Sequence, residues 1–301
     1  GLADPNGNLF FEVVRVLRSC QPKVFLLENV PALATIDGGK VLKIIMEELR
    51  NSGYICEYKV LRSHAYVPQK RRRIYFVGIR KDLLDDTSST ISSSSSAPVA
   101  AAAAASFPSL QFDWPTELLL ATEGGMHGTD PRSNFPPVKE ILEYDVDESY
   151  WLLPSQWEEI VQRERKGGGV DAVSQRIVDP NAQARTVISS YKRSHETQSQ
   201  YVPGSFSNKR MQKREQSDGS VSSVVASSSS SSSFPLFLPP STPPRFFTER
   251  EVARLQGFPD HFRLLDACSS PKRLYHQLGN AVCPPVVRAI AERLLRRVDI
   301  C

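Results

Sequence analysis

Apolar and polar positions in the first eighty residues alternate between helix-like and strand-like periods. Leu9, Val13, Val16 and Leu17 recur at helical spacing, which predicts an amphipathic helix from Asn8 to Leu17. Val24–Leu27 is an unbroken apolar run, interrupted by Glu28 and Asn29 and stopped by Pro31. Such a run suits a short strand buried on both faces of a parallel sheet. Gly38 and Gly39 precede a second helix, in which Leu42, Ile45, Met46 and Leu49 share a face and Gly53 supplies the C-terminal cap. Tyr54–Leu61 and Arg73–Ile79 read as strands joined by a loop through Val67 and Pro68. The alternation predicts an α/β fold with a mostly parallel, doubly wound sheet.

Beyond residue 86 the pattern lapses. Thr87–Ala105 is rich in serine and then alanine, and Ser217–Ser233 contains seven consecutive serines from Ser227. Neither tract can bury enough apolar surface to offset the entropy of ordering, so both are predicted to be disordered insertions. Between them lie Trp114, a Pro136-Pro137 turn and a helix opened by a capping box from Ser155 to Glu158, with Trp157, Ile160 and Val161 facing inward. Val187-Ile188 and Tyr201-Val202 read as short strands. A regular pattern resumes at Arg245, where Thr248 and Glu251 form a second capping box. That helix carries Val252 and Leu255 inward and ends near Gly257-Phe258-Pro259. A loop at Gln277–Asn280 leads to a last helix with Val287, Ile290, Ala291, Leu294 and Val298 along one face. The expected organisation is a main α/β part over 1–86, an insertion over 87–106, and a smaller loop-rich domain over 107–216. A second insertion follows over 217–244, and a return segment over 245–301 ends in a helix packed on the main part.

At 301 residues the chain is long enough for two domains. No apolar run approaches the ~20 residues of a membrane span, and no basic-then-apolar leader pattern opens the chain. The first residue is Gly1 rather than Met, which reads as a fragment or an incomplete gene model. The five cysteines are scattered without a C-x-x-C pair, so neither a metal site nor a disulfide framework is expected, and a reducing compartment fits. Net charge is only +4, but eight basic residues face two acidic ones between Arg176 and Arg214. This local excess suits either a polyanion partner or a solvated basic loop. Glu28 is the candidate for chemistry. A carboxylate at the carboxyl end of a buried strand is half desolvated, so its pKa rises and it can hold a proton; the alternative is a residue that caps the next loop.

Several stretches then line up: F-L-L-E-N-V-P at Phe25–Pro31, V-P-Q-K-R-R-R-I-Y-F-V-G at Val67–Gly78, R-F-F-T-E-R-E-V-A-R-L-Q-G-F-P at Arg245–Pro259 and Q-L-G-N-A-V-C-P-P at Gln277–Pro285. Their order and spacing resemble the cytosine-5 DNA methyltransferases over about Gly1–Asp82 and Arg245–Leu295. The opening G-L-A-D-P-N-G-N-L-F-F-E also resembles the stretch that follows the family's Pro-Cys loop.

The resemblance implies part of a Rossmann-like methyltransferase sheet with a smaller target-recognition domain. In this family a Cys thiolate adds to cytosine carbon 6, carbon 5 accepts the methyl group of S-adenosylmethionine, and the carbon-5 proton then leaves. Glu28 is implied to relieve charge at N3, Arg73 to donate to the cytosine carbonyl oxygen, and Arg71 to steady the nucleophile, with Asn29 and Gln69 in support. Gln69, Arg71 and Arg73 would project from one face of a strand. The implied partner is double-stranded DNA with a cytosine target, which must be flipped out of the stack for carbon 6 to be reached. Arg185 and Thr186 resemble the small domain's Thr-hydrophobic signature, and Lys192 and Arg193 are the expected phosphate contacts beside it. Leu9, Asn280, Ala281 and Val282 match the positions that hold the cofactor.

The departures are specific. No F-x-G-x-G loop and no Pro-Cys dipeptide occur; Cys20 is followed by Gln21, and Cys283 by prolines in the wrong motif. The nucleophile is therefore expected upstream of Gly1 or absent, and the chain by itself is expected to transfer no methyl group. The alternatives are the family's tRNA-modifying branch and a non-catalytic nucleic-acid-binding relative. The tRNA branch carries Cys-Phe-Thr in the small domain and Leu-Leu-Gly-Phe-Pro, where this chain has Ala184-Arg185-Thr186 and Leu255-Gln256-Gly257-Phe258-Pro259. The homopolymeric serine and alanine runs suggest a eukaryotic, nuclear protein.

Overall fold

The computed structural model describes residues 9–85, 109–118, 136–168, 170–193, 199–204, 243–264 and 270–298. The insertion expected over 87–106 lies outside the described residues, as does that over 217–244 apart from its last two residues. The chain forms two compact units, one from the described parts of Gly1–Ala65, Arg71–Asp130 and Pro285–Cys301, the other from Tyr66–Lys70 and Pro131–Pro284.

In the first unit α1 (Leu9–Cys20) precedes β1 (Val24–Asn29), α2 (Lys40–Asn51) and β2 (Tyr54–Arg62). After the short β3 (Gln69–Lys70), β4 (Arg72–Arg80) runs between β1 and β2 and antiparallel to both. A short helix, α3 (Asp82–Asp85), follows. The pairings of this sheet are thus antiparallel where mostly parallel ones are predicted, and connection length explains the difference. The helical crossover through α2 lets β1 and β2 run in one direction, whereas the connection from β2 to β4 is too short for a parallel crossover and turns the chain back.

One sheet face is closed by helices. Leu17 of α1 and Val41, Leu42, Ile45, Met46 and Leu49 of α2 form one core with Phe25, Tyr54, Cys56, Ile74 and Phe76. Gly78 stands opposite Phe25, and a Cβ there would lie 2.2 Å from the ring, so the aromatic takes the space a side chain would need. Tyr75, Val77 and Ile79 are buried on the other face. Glu57, paired with Val77 and so on that same face, accepts hydrogen bonds from Ser109 Oγ at 2.7 Å and from the backbone N–H groups of Gln111 at 2.5 Å and Phe112 at 3.3 Å. In β1 only Phe25 is fully buried, since β1 is an edge of this three-stranded sheet and not the doubly covered strand its apolar run predicts.

The second unit packs α4 (Pro154–Gly168), α5 (Val170–Ser174), α6 (Glu249–Leu255) and α7 (Pro271–Asn280) around Trp157, Ile160, Tyr201, Phe246, Phe247, Leu255, Tyr275 and Leu278. β3 pairs in parallel with β5 (Ala184–Arg185). The strand predicted at Val187-Ile188 in fact lies three residues earlier in the chain, while Tyr201 and Val202 make isolated bridges to Ile177 and Arg245. The Thr248 capping box is formed. The one predicted at Ser155 is not: the helix begins at Pro154, whose fixed φ suits a first helical position, and Gln156 Oε1 accepts from Leu153 N–H at 3.0 Å. Gln277–Asn280, predicted as a loop, is the last turn of α7. The final helix, α8 (Pro284–Arg296), closes the first unit, with Arg293 placing guanidinium nitrogens 3.8 Å from Asp113 and 3.7 Å from Glu117.

Candidate active site and nucleic-acid interface

Strand register brings the candidate acid to its arginines. Glu28 is paired with Tyr75 across β1 and β4. Arg73, two residues before Tyr75, projects from the same face on the diagonal, within reach of a long side chain. Arg73 Nε lies 3.0 Å from Glu28 Oε1, with the two side chains 14% and 18% exposed. Arg73 Nη1 also donates to the carbonyl of Arg72 at 2.7 Å, which fixes the guanidinium from behind. Arg71 is buried, and its backbone is held in both directions by Ser63, whose N–H donates to the Arg71 carbonyl at 2.9 Å and whose Oγ accepts from the Arg71 N–H at 3.3 Å. Burial pushes the Glu28 carboxyl above its ordinary range, opposed first by the charge of Arg73 and then by that of Arg71. The result is a carboxyl able to carry a proton beside a fixed positive charge. Asn29 is exposed, and its Oδ1 accepts from the Val30 N–H at 2.8 Å, so it caps the loop that follows.

Gln69 does not continue the arginine strand. It belongs to the second unit and is fully buried. Its Nε2 donates to the Leu255 carbonyl and its Oε1 accepts from the Val187 N–H, both at 3.3 Å. The one-face alternation expected over Gln69–Arg73 is broken at Arg71, because Gln69 and Lys70 pair with Ala184 and Arg185 while β4 begins at Arg72.

The predicted nucleic-acid residues share the second unit. Arg185 stands at the surface but is partly desolvated, which lowers its pKa together with the charge of Arg176 and against that of Glu164. Thr186 Oγ1 donates to the Lys70 carbonyl at 2.6 Å. Arg193 is exposed, but Lys192 is half-buried, with Nζ 3.8 Å from the centroid of the Tyr150 ring and 5.7 Å from those of Phe246 and Tyr275. Burial lowers its pKa against the opposing charges of Glu249 and Asp147. An ammonium over aromatic rings can also hold its own loop in place, a role that its charge alone does not reveal.

Leu9 stands on the first unit, 64% exposed, and Asn280–Val282 on the second, where Asn280 is exposed and Val282 is 37% exposed. Cys20 is exposed, Cys283 is buried, and burial pushes the buried Cys56 thiol up to about 11, which leaves it inert at neutral pH. Sequence reasoning missed Gln200. This buried side chain accepts from the Arg185 N–H at 2.9 Å and donates to the Arg185 carbonyl at 2.7 Å, standing in for a neighbouring strand. A lone glutamine carries no pattern that could have revealed it.

Solved structures agree on the fold: S. pombe Dnmt2 methyltransferase matches 99% of this chain and 73% of its own with a TM-score of 0.56 at 19% identity. The *Entamoeba histolytica* methyltransferase EhMeth matches 100% of this chain and 71% of its own with a TM-score of 0.58 at 16% identity. The profile of the C-5 cytosine-specific DNA methylases matches residues 1–296, and the chain belongs to that family. Among curated relatives, Type II methyltransferase M.NlaX of Neisseria lactamica is 29% identical over 297 residues, covering 98% of this chain and 69% of the relative. M.DsaV of Dactylococcopsis salina is 28% identical over 305 residues, covering 100% of this chain and 64% of the relative. The chain thus spans about two thirds of the length of these relatives. No helix among the described residues is long and apolar enough to cross a membrane.

Proposed function

We propose that the protein is a DNA cytosine-5 methyltransferase that uses S-adenosylmethionine, and that this chain carries its proton-handling acid, its arginine pair and its target-recognition unit. The observation that carries the reading is the Glu28–Arg73 pair, a carboxyl of raised pKa 3.0 Å from a guanidinium at one end of the sheet. Glu28 holds a proton or hydrogen bond at cytosine N3, which draws charge from the ring as a thiolate adds at carbon 6. Arg73 donates to the carbonyl oxygen and sets the carboxyl's orientation, while Arg71 adds positive potential beside both. Leu9, Asn280, Ala281 and Val282 would hold S-adenosylmethionine, which supplies the methyl group. Arg185, Thr186 and Arg193 face a double-stranded DNA partner. The nuclear location expected from the serine and alanine runs rests on those runs alone; the bacterial relatives do not support it.

The test uses labelled S-adenosylmethionine with a cytosine-containing duplex and with tRNA, given separately to this chain and to the product of its whole open reading frame. Label is expected in DNA, from the whole product only. Glu28→Gln in that product is expected to lower single-turnover methylation by on the order of 10²–10³, the usual cost of one transition-state donor, at near-parent DNA affinity. Label in tRNA alone would favour the RNA branch, and parent turnover in Glu28→Gln would reduce Glu28 to a loop-capping residue.

A further inference from the structure

Residues 184–189 are held at nearly every position. The Ala184 N–H donates to the Pro68 carbonyl at 2.9 Å, and Gln200 clamps both backbone groups of Arg185. Thr186 Oγ1 donates to Lys70, and the Val187 N–H donates to Gln69 Oε1. Ile188 and Ser189 then press against Gly279 of α7, where a Cβ would lie 2.4 Å from Ile188 C and 2.4 Å from Ser189 N. That approach meets backbone, not the end of a flexible side chain, so no larger residue fits without moving the segment. Gln256, fully buried, donates from Nε2 to the Leu278 carbonyl at 2.6 Å and keeps the end of α7 in place. Within this clamped stretch the Arg185 side chain remains exposed.

We propose that Gln200 and Gly279 are positioning residues that preset the aim of Arg185 and Thr186 toward nucleic acid, Gln200 by its two-bond clamp and Gly279 by admitting the following backbone. The inference rests on the reading of Arg185 and Thr186 as nucleic-acid contacts. Two short polar bonds to a buried amide fix an exposed arginine's backbone before binding, so its ordering is already complete when a phosphate or base arrives. A strand neighbour would do the same, but β5 is only two residues long, and a side-chain amide replaces the missing partner.

The experiment compares the chain with Gln200→Leu, Gln200→Glu and Gly279→Ala, each alone and combined with Arg185→Ala. Affinity for a cytosine-containing duplex is expected to fall about tenfold in Gln200→Leu and Gly279→Ala, and by less than about twofold when Arg185 is already alanine, because residues acting through one another are not additive. Gln200→Glu keeps the acceptor for the Arg185 N–H and is expected to lose less than Gln200→Leu. Full additivity with Arg185→Ala would overturn the proposal. Backbone hydrogen exchange at Ala184 and Val187 provides an independent readout, expected to quicken in both disruptive variants by more than any fall in their global unfolding midpoint accounts for. Should Arg185→Ala bind DNA like the parent, the nucleic-acid reading fails and exchange alone decides the positioning: faster exchange supports it and parent rates overturn it.

Discussion

Glu28 and Arg73 meet diagonally across an antiparallel strand pair, Arg73 Nε 3.0 Å from Glu28 Oε1, and yet the carboxyl's pKa is raised. Desolvation outweighs two nearby positive charges. An ion pair on a solvated strand end would lower a carboxyl's pKa, so the sign of the shift separates a poised acid from a surface salt bridge.

Stability should report that sign. The folded chain holds the Glu28 proton to higher pH than the unfolded chain, so the stability it contributes is fully present below the unfolded value and is lost as pH rises through the raised one. As pH rises beyond 4.5, the ordinary value of this carboxyl, the denaturant midpoint is expected to fall further in the parent than in Glu28→Gln. Equal falls in the two proteins would mean that Glu28 is as well solvated in the fold as outside it.

In the second unit, Arg245 and Glu251 form a two-bond pair with side chains 1% and 0% exposed, and Glu251 also accepts from the N–H groups of Thr248 and Glu143. Glu251→Ala leaves a buried guanidinium without its counter-charge, a loss of about 3–5 kcal/mol in stability. Urea unfolding is expected to show that loss. Replacing both residues with apolar ones of similar size should cost less than the two single changes together, and strict additivity would contradict the coupling.

Gly78 and Phe25 should behave as one packing unit. Gly78→Ala drives a methyl into the Phe25 ring and is expected to destabilise by about 1–3 kcal/mol. Phe25→Leu in the same chain should recover part of it. Thermal melts of the single and double variants check this, and a Gly78→Ala midpoint at the parent value would mean that the ring moves aside freely.

Arg193 and Lys192 are neighbours with opposite expectations. Neutralising the exposed Arg193 should flatten the salt dependence of DNA binding by about one unit of slope. Lys192→Met keeps the apolar stem but removes the ammonium from the Tyr150 ring, so it is expected to lower the melting temperature and leave the slope alone. A reduced slope in Lys192→Met would restore it as a phosphate contact.

Much of the first unit was legible because its signals are local. The 3.6-residue period of α2 and the apolar run ending at Glu28 each depend on residues a few positions apart, and so does the Thr248 capping box of the second unit. Boundaries of the second unit were less legible. A two-residue β5 has no period to read, and Pro154 took the helix start that Ser155 was expected to cap.

Residue type and spacing alone carry the family motifs, the order of helices and strands in the first unit, and the candidacy of Glu28, Arg71 and Arg73. Tertiary structure decided everything that depends on which distant backbone lies alongside. It made the sheet antiparallel around β4, because a short return cannot cross over. It placed Gln69 against Val187 and Leu255 instead of beside Arg71, and it buried the ammonium of Lys192 among aromatic rings while its neighbour Arg193 stayed exposed. Charge and hydrogen-bonding capacity are written in the chain, but solvation and partner are not: they are set when segments more than a hundred residues apart, such as Gln69 and Val187, are packed together.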